Sequence, residues 1–152
     1  MALKFSEISQ DEWMEWKPYL DTCIIPYTGL TGQESPLEAV SALEDLRDLL
    51  DIVEIPFKGR IVTYPAFHYT AKEHQESLND VCRQLKSSGF KFVIIMSIGQ
   101  EINPSVVTAS DLIFTFPKCE ISVSKSKEES AEKINQLSQK IHHDVYRLWG
   151  LQ

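Results

Sequence analysis

Residues 89–102, GFKFVIIMSIGQEI, run from a glycine through an unbroken apolar stretch into a small polar loop. A short run this rich in β-branched residues reads as a strand covered on both faces. The strand proper is 90–97, and three other segments share its character: TCIIPY at 22–27, RIVTYP at 60–65 and DLIFTFP at 111–117. Strands of that kind need a layer on each side, and the intervening segments have the helical period to provide it.

The helices are marked by their starts. In Ser35-Pro36-Leu37-Glu38 a serine caps, a proline occupies the first position where no amide is needed, and a glutamate closes the box. Thr70–Glu73 and Ser126–Glu129 repeat the box, and Ser9–Glu12 opens a short N-terminal helical segment at about 9–20. Behind these caps, Leu78, Val81, Cys82 and Leu85 form one stripe, and Ile134, Leu137, Ile141, Val145 and Leu148 form another. The helix from Pro36 to about Val53 is apolar over a wider arc, through Leu37, Val40, Leu43, Leu46, Leu50 and Val53, and is expected to be the best buried. Gly89 suits a helix terminus in the left-handed conformation.

Alternating strands and helices imply right-handed crossovers. The expectation is an α/β fold: one three-layer, doubly wound domain over 1–152, with four mainly parallel strands in the order 2-1-3-4. EISVS at 120–124 would add a short edge strand.

The bulk properties narrow the function. A chain of 152 residues buries roughly 70% of its unfolded surface and needs no disulfide or metal for stability. Fifteen basic residues against 22 acidic ones give a formal charge of −7, which argues against a nucleic-acid partner. The longest uninterrupted apolar run, FVIIM, is far short of a membrane span, and the N-terminal residues lack a signal-peptide core. Cys23, Cys82 and Cys119 are odd in number and widely spaced, as expected of free thiols in a reducing cytoplasm. No cofactor is called for.

Pro26, Pro65 and Pro117 punctuate three of the strands and are read as ending their ladders. The loops that follow then gather at the carboxyl edge of the sheet, where open α/β folds bind ligands. The candidate residues are Tyr27, Thr28 and Gly29, then His68 and Tyr69, then Ser97, Gly99, Gln100 and Glu101, then Lys118, Cys119 and Glu120. Ser97 or Cys119 as nucleophile with His68 as base would make a hydrolase or transferase, but no strained elbow surrounds Ser97. TGLTG at 28–32 is placed like a phosphate loop and lacks the lysine of one. His68 and His74 have no ligand-spaced companion, while His142 and His143 diverge on a helix and read as a solvated face. Trp13, Trp16 and Tyr19 either pack the N-terminal segment onto the domain or form a docking patch, including one for a second copy.

Two resemblances add to this reading. DTCIIPY, a long helix and then FKGRIVTYPAFHY resemble the uncharacterised YpiF-like family of small cytoplasmic proteins of Bacillus-type bacteria. The likeness is most specific at Phe57–Tyr69, and the family has no established activity to carry over. Residues 78–102, LNDVCRQLKSSGFKFVIIMSIGQEI, are similar to the helix–strand unit of creatininase-type amidohydrolases. That likeness implies a shared fold only, because the loop Ser97–Glu101 and the segment TGLTGQES contain no histidine to bind the family's metal. The expected role is non-catalytic binding of a partner protein or small ligand at the carboxyl edge, with the metal-free hydrolase or transferase as the alternative.

Overall fold

A computed structural model describes residues 4–70, 72–116 and 127–150. In chain order the elements are α1 (Gln10–Trp16), β1 (Thr22–Tyr27), α2 (Pro36–Glu54), β2 (Ile61–Thr63), α3 (Glu76–Ser87), β3 (Phe92–Ile98), β4 (Leu112–Phe116) and α4 (Lys127–Leu148). The described strands form one parallel sheet in the order β2-β1-β3-β4, as the alternation of elements predicts. The expected edge strand at 120–124, together with Pro117 and Ser126, lies outside the described residues.

The two central strands divide their side chains between two cores. Ile24, Ile94, Met96 and Ile98 face α2 and α4, where Leu46, Leu49, Leu50, Val53, Ile141 and Val145 meet them. Cys23, Ile25, Tyr27, Val93 and Ile95 face Leu78 and Cys82 of α3, with Trp13 and Trp16 of α1 packed at the margin. The period of two along a strand thus feeds both layers. The parallel crossover from β3 to β4 contains no helix; Ile102 and Val107 cover the sheet there instead. Trp13 lies 6.3 Å from Phe90 between ring centroids, so the tryptophans pack onto the core, whereas Tyr19 is exposed.

Pro26 does not end β1 but sits within it, paired in register with Met96. The reason lies in the bonding direction. In a parallel strand both polar groups of one residue face the same neighbour. The carbonyls of Ile24 and Pro26 accept from Tyr64 and Phe67 on the β2 side. The donor missing at Pro26 would therefore have faced the segment where β2 has already stopped at Thr63. Proline costs no ladder bond there.

Two helices depart from expectation. The first half of α2 is not buried: Leu37 is 84% exposed, Val40 53% and Leu43 45%. Only from Ala42 onward does the helix reach the sheet. Thr70 does not cap α3; its hydroxyl donates to the carbonyl of His68. Lys72–His74 form a 3-10 turn, and α3 begins at Glu76. Ser9 and Ser35 do cap their helices, accepting from the amides of Glu12 and Glu38. His142, expected on a solvated face, instead bonds the carbonyl of Ile52 at 2.8 Å and stands edge-on to Phe57, pinning α4 to the end of α2.

The amino edge of the sheet is closed by polar bonds. Asp21 takes both a 2.9 Å and a 3.1 Å bond from the Arg60 guanidinium, which lies 4.1 Å over the Trp149 ring. The Trp149 indole N–H donates to Thr22, and Phe57 meets the same ring edge-on at 5.1 Å. Trp149→Ala removes all three contacts and should lower the urea unfolding free energy by about 2–3 kcal/mol. Leu37→Ala should change it by less than about 0.5 kcal/mol; a larger loss would mean that Leu37 is packed.

Candidate functional site

The loops after β1, β2 and β3 meet at the carboxyl edge, as a parallel sheet requires. Tyr27 is 1% exposed, stacks on Phe67 and donates its hydroxyl to the carbonyl of Thr70 at 2.8 Å. Burial pushes its pKa up. The Thr28 hydroxyl oxygen lies 3.2 Å from the Phe67 carbonyl and 3.0 Å from Nδ1 of His68. With its hydrogen directed at the carbonyl, the same oxygen can accept from a protonated Nδ1. Tyr69 is 70% exposed, with a left-handed backbone at φ 57°. That geometry costs roughly 1–2 kcal/mol per residue without a glycine.

Ser97 is fully buried, and its hydroxyl donates to the carbonyl of Gln100 at 2.8 Å, closing its own loop. Gln100 in turn lies over Gly29, whose φ is 69°. A Cβ there would come within 2.9 Å of the Gln100 Cβ, so the close approach of the two loops depends on glycine. Gln75 ties the third loop to α3 by donating to the carbonyl of Glu101 and accepting from the amide of Asn103. Asn79 accepts from Ala109 in the same way. The structure thus joins Thr28 with His68, and Ser97 and Gln100 with Gly29. Ser97 and His68 bond to separate partners. Lys118, Cys119 and Glu120 lie outside the described residues.

The phosphate-like loop is occupied by its own chain. Glu34 accepts from the Thr31 amide at 2.8 Å, from the Gly32 amide at 2.9 Å and from the Thr31 hydroxyl. A carboxylate therefore stands where an external anion would bind. The amide of Thr31, followed by the other donors, holds the Glu34 pKa down at about 2. Cys23 and Cys82 are buried and unpaired, and burial raises their pKa values to about 12 and about 11. Both thiols stay protonated and unreactive at neutral pH. Among the described residues no group of three or more metal-ligating side chains converges.

The residue that sequence reasoning missed is Glu54, 2% exposed at the end of α2. Its Oε1 accepts from the Thr63 hydroxyl at 2.7 Å, while Oε2 is buried without a hydrogen-bond partner among the described residues. Burial pushes its pKa up, against the opposing pull of the Thr63 bond. It lines a cleft of about 190 Å³ between α2 and β2. The spacing Leu46–Leu50–Glu54, four residues apart each time, already sets this carboxyl on the apolar face.

Glu34 yields a pH prediction. A carboxyl whose pKa is depressed on folding stabilises the fold above its ordinary range and loses that contribution as the pH falls toward the lowered value. An NMR titration should place the Glu34 midpoint at about 2 rather than at the ordinary 4.5. A midpoint at the ordinary value would mean that the loop is open and its amides are free to take an anion.

Among comparisons with known proteins, one family model, described as a protein of unknown function (DUF2487), matches residues 11–142. No curated protein and no solved structure matches the chain. Since that match spans most of its length, the chain belongs to the DUF2487 family, whose description assigns no function.

Proposed function

We propose that the chain is a non-catalytic binding module that docks a partner protein at the carboxyl edge through the first half of α2. The observation that carries this reading is the exposed apolar row Leu37, Val40 and Leu43, at 84%, 53% and 45%. These residues recur every third position, so they share one side of the helix. They lie on the helix that follows β1 after the loop 28–35. Leu43 lines a cleft with Pro65 and Ala66 of the segment after β2, whose Tyr69 is strained and exposed. An exposed apolar row on one side of a helix favours an interaction site over bare solvent.

The magnitudes suit a transient contact. Burying what these three side chains still expose gains about 3–5 kcal/mol, against association costs of about 4 kcal/mol or more. Tyr69 has to join them for binding to be useful. Against the hydrolase or transferase reading stand the buried Ser97 hydroxyl, already donated to Gln100, and the absence of a bond between it and His68. The likeness of 78–102 to creatininase-type enzymes is read as shared strand–helix construction, since the loop Ser97–Glu101 offers no histidine.

A photo-crosslinking residue in place of Leu37, expressed in the native host, tests this. It should give one discrete adduct that Val40→Glu abolishes, while the same residue in place of the exposed Arg83 on α3 gives none. The same adducts from both positions, or none from either, would contradict the proposal.

A further inference from the structure

We propose that the cleft between α2 and β2 binds a small, largely apolar amine whose ammonium group meets Oε2 of Glu54. This goes beyond the partner-docking reading and uses a different face of α2, the two meeting at Leu43.

The cleft has the size for such a ligand. Its volume of about 190 Å³ exceeds the roughly 150 Å³ of an engineered cavity that admits benzene. Pro26, Leu43, Leu46 and Leu50 give it an apolar wall, and Glu54 and Thr63 stand together in the lining. A buried carboxyl oxygen without a partner is rare in folded chains, because such a group forfeits its hydration. Oε1 is already engaged by Thr63, so among the described residues the unmet valence belongs to Oε2 alone. A group that donates hydrogen bonds is what it lacks.

Charge selects an amine among possible donors. Lys4 is the positive neighbour of Glu54, whereas Asp51 and Glu7 are negative. Arg47 also lines the cleft, but it is paired with Asp48 and its side chain is 61% exposed. The phenol of Tyr64 is neutral, and burial pushes its pKa up. The ionised carboxyls outnumber the lysine, so a cation balances the site and an anion does not. An ammonium group also favours the ionised form of Glu54 over the protonated one. Affinity for an amine must therefore rise with pH as Glu54 gives up its proton.

The test is an NMR titration of the whole chain with benzylamine, with benzyl alcohol and benzoate as matched probes. Benzylamine should shift the amides of Leu50, Glu54 and Thr63 saturably, at about millimolar affinity. It should bind at least about tenfold more tightly than either other probe, and more tightly at about pH 7 than at about pH 5. Glu54→Gln keeps an acceptor for Thr63 and should weaken benzylamine by at least about tenfold. If that variant does not fold, Ala66→Leu, which narrows the cleft, should produce the same loss. Equal response to all three probes, tighter binding of benzoate, unsaturable shifts, or unchanged affinity in the folding variant would overturn the proposal. None of these outcomes depends on a protein partner, so the docking reading stands or falls separately.

Discussion

The parallel pairing of β1 with β3, in register from Thr22↔Phe92 to Tyr27↔Ser97, is the constraint on which the rest depends. Both strands are covered on both faces, and their side chains alternate between the two cores. A slip of one residue would exchange the two sets and leave each facing the wrong helices. The same register brings Ser97 level with Tyr27 and turns the following loop back over Gly29. What occupies the carboxyl edge is thus set by how the centre of the sheet pairs.

The two ends of the sheet are closed differently. At the amino edge, Asp21, Arg60 and Trp149 bind the starts of β1 and β2 to the end of α4. At the carboxyl edge, closure comes from neutral side chains that bond backbone: Gln75, Asn79, Ser97 and Thr28. Those bonds tie the loops to one another and to α3 from within. Among the described residues, the features that the fold leaves uncovered or unbonded include the early turns of α2 and the ring of Tyr69, both exposed, and the buried Oε2 of Glu54. Such surfaces suit binding better than bond-making.

The sheet order and the parallel pairing were legible because continuous apolar runs and capped helices are signals local to the chain. Pro26 was misread as an end, since whether a strand proline is tolerated depends on which neighbour its missing donor faces. The exposure of Leu37, Val40 and Leu43 was equally hidden: helical period shows which side of α2 is apolar, not how far the sheet extends beneath it. At the candidate site, Thr28, His68, Ser97 and Gln100 lie toward one edge, as follows from the parallel order of the strands. Their bonding was not readable, because Ser97 turns to a backbone carbonyl three residues on. Glu34 was not singled out, because its partners are amides, which leave no mark in side-chain spacing. Glu54 was visible in its four-residue spacing but was passed over as part of a helix end.

The central claim is that the carboxyl edge is closed by the chain's own side chains. Native-state hydrogen exchange at Asn103 and Ala109 tests it most directly, since these amides bond to Gln75 and Asn79. The account predicts that both exchange at least about a hundredfold more slowly than an unstructured peptide. Exchange at the unstructured rate would mean that the loops stand open, and it would return the edge to the enzyme reading.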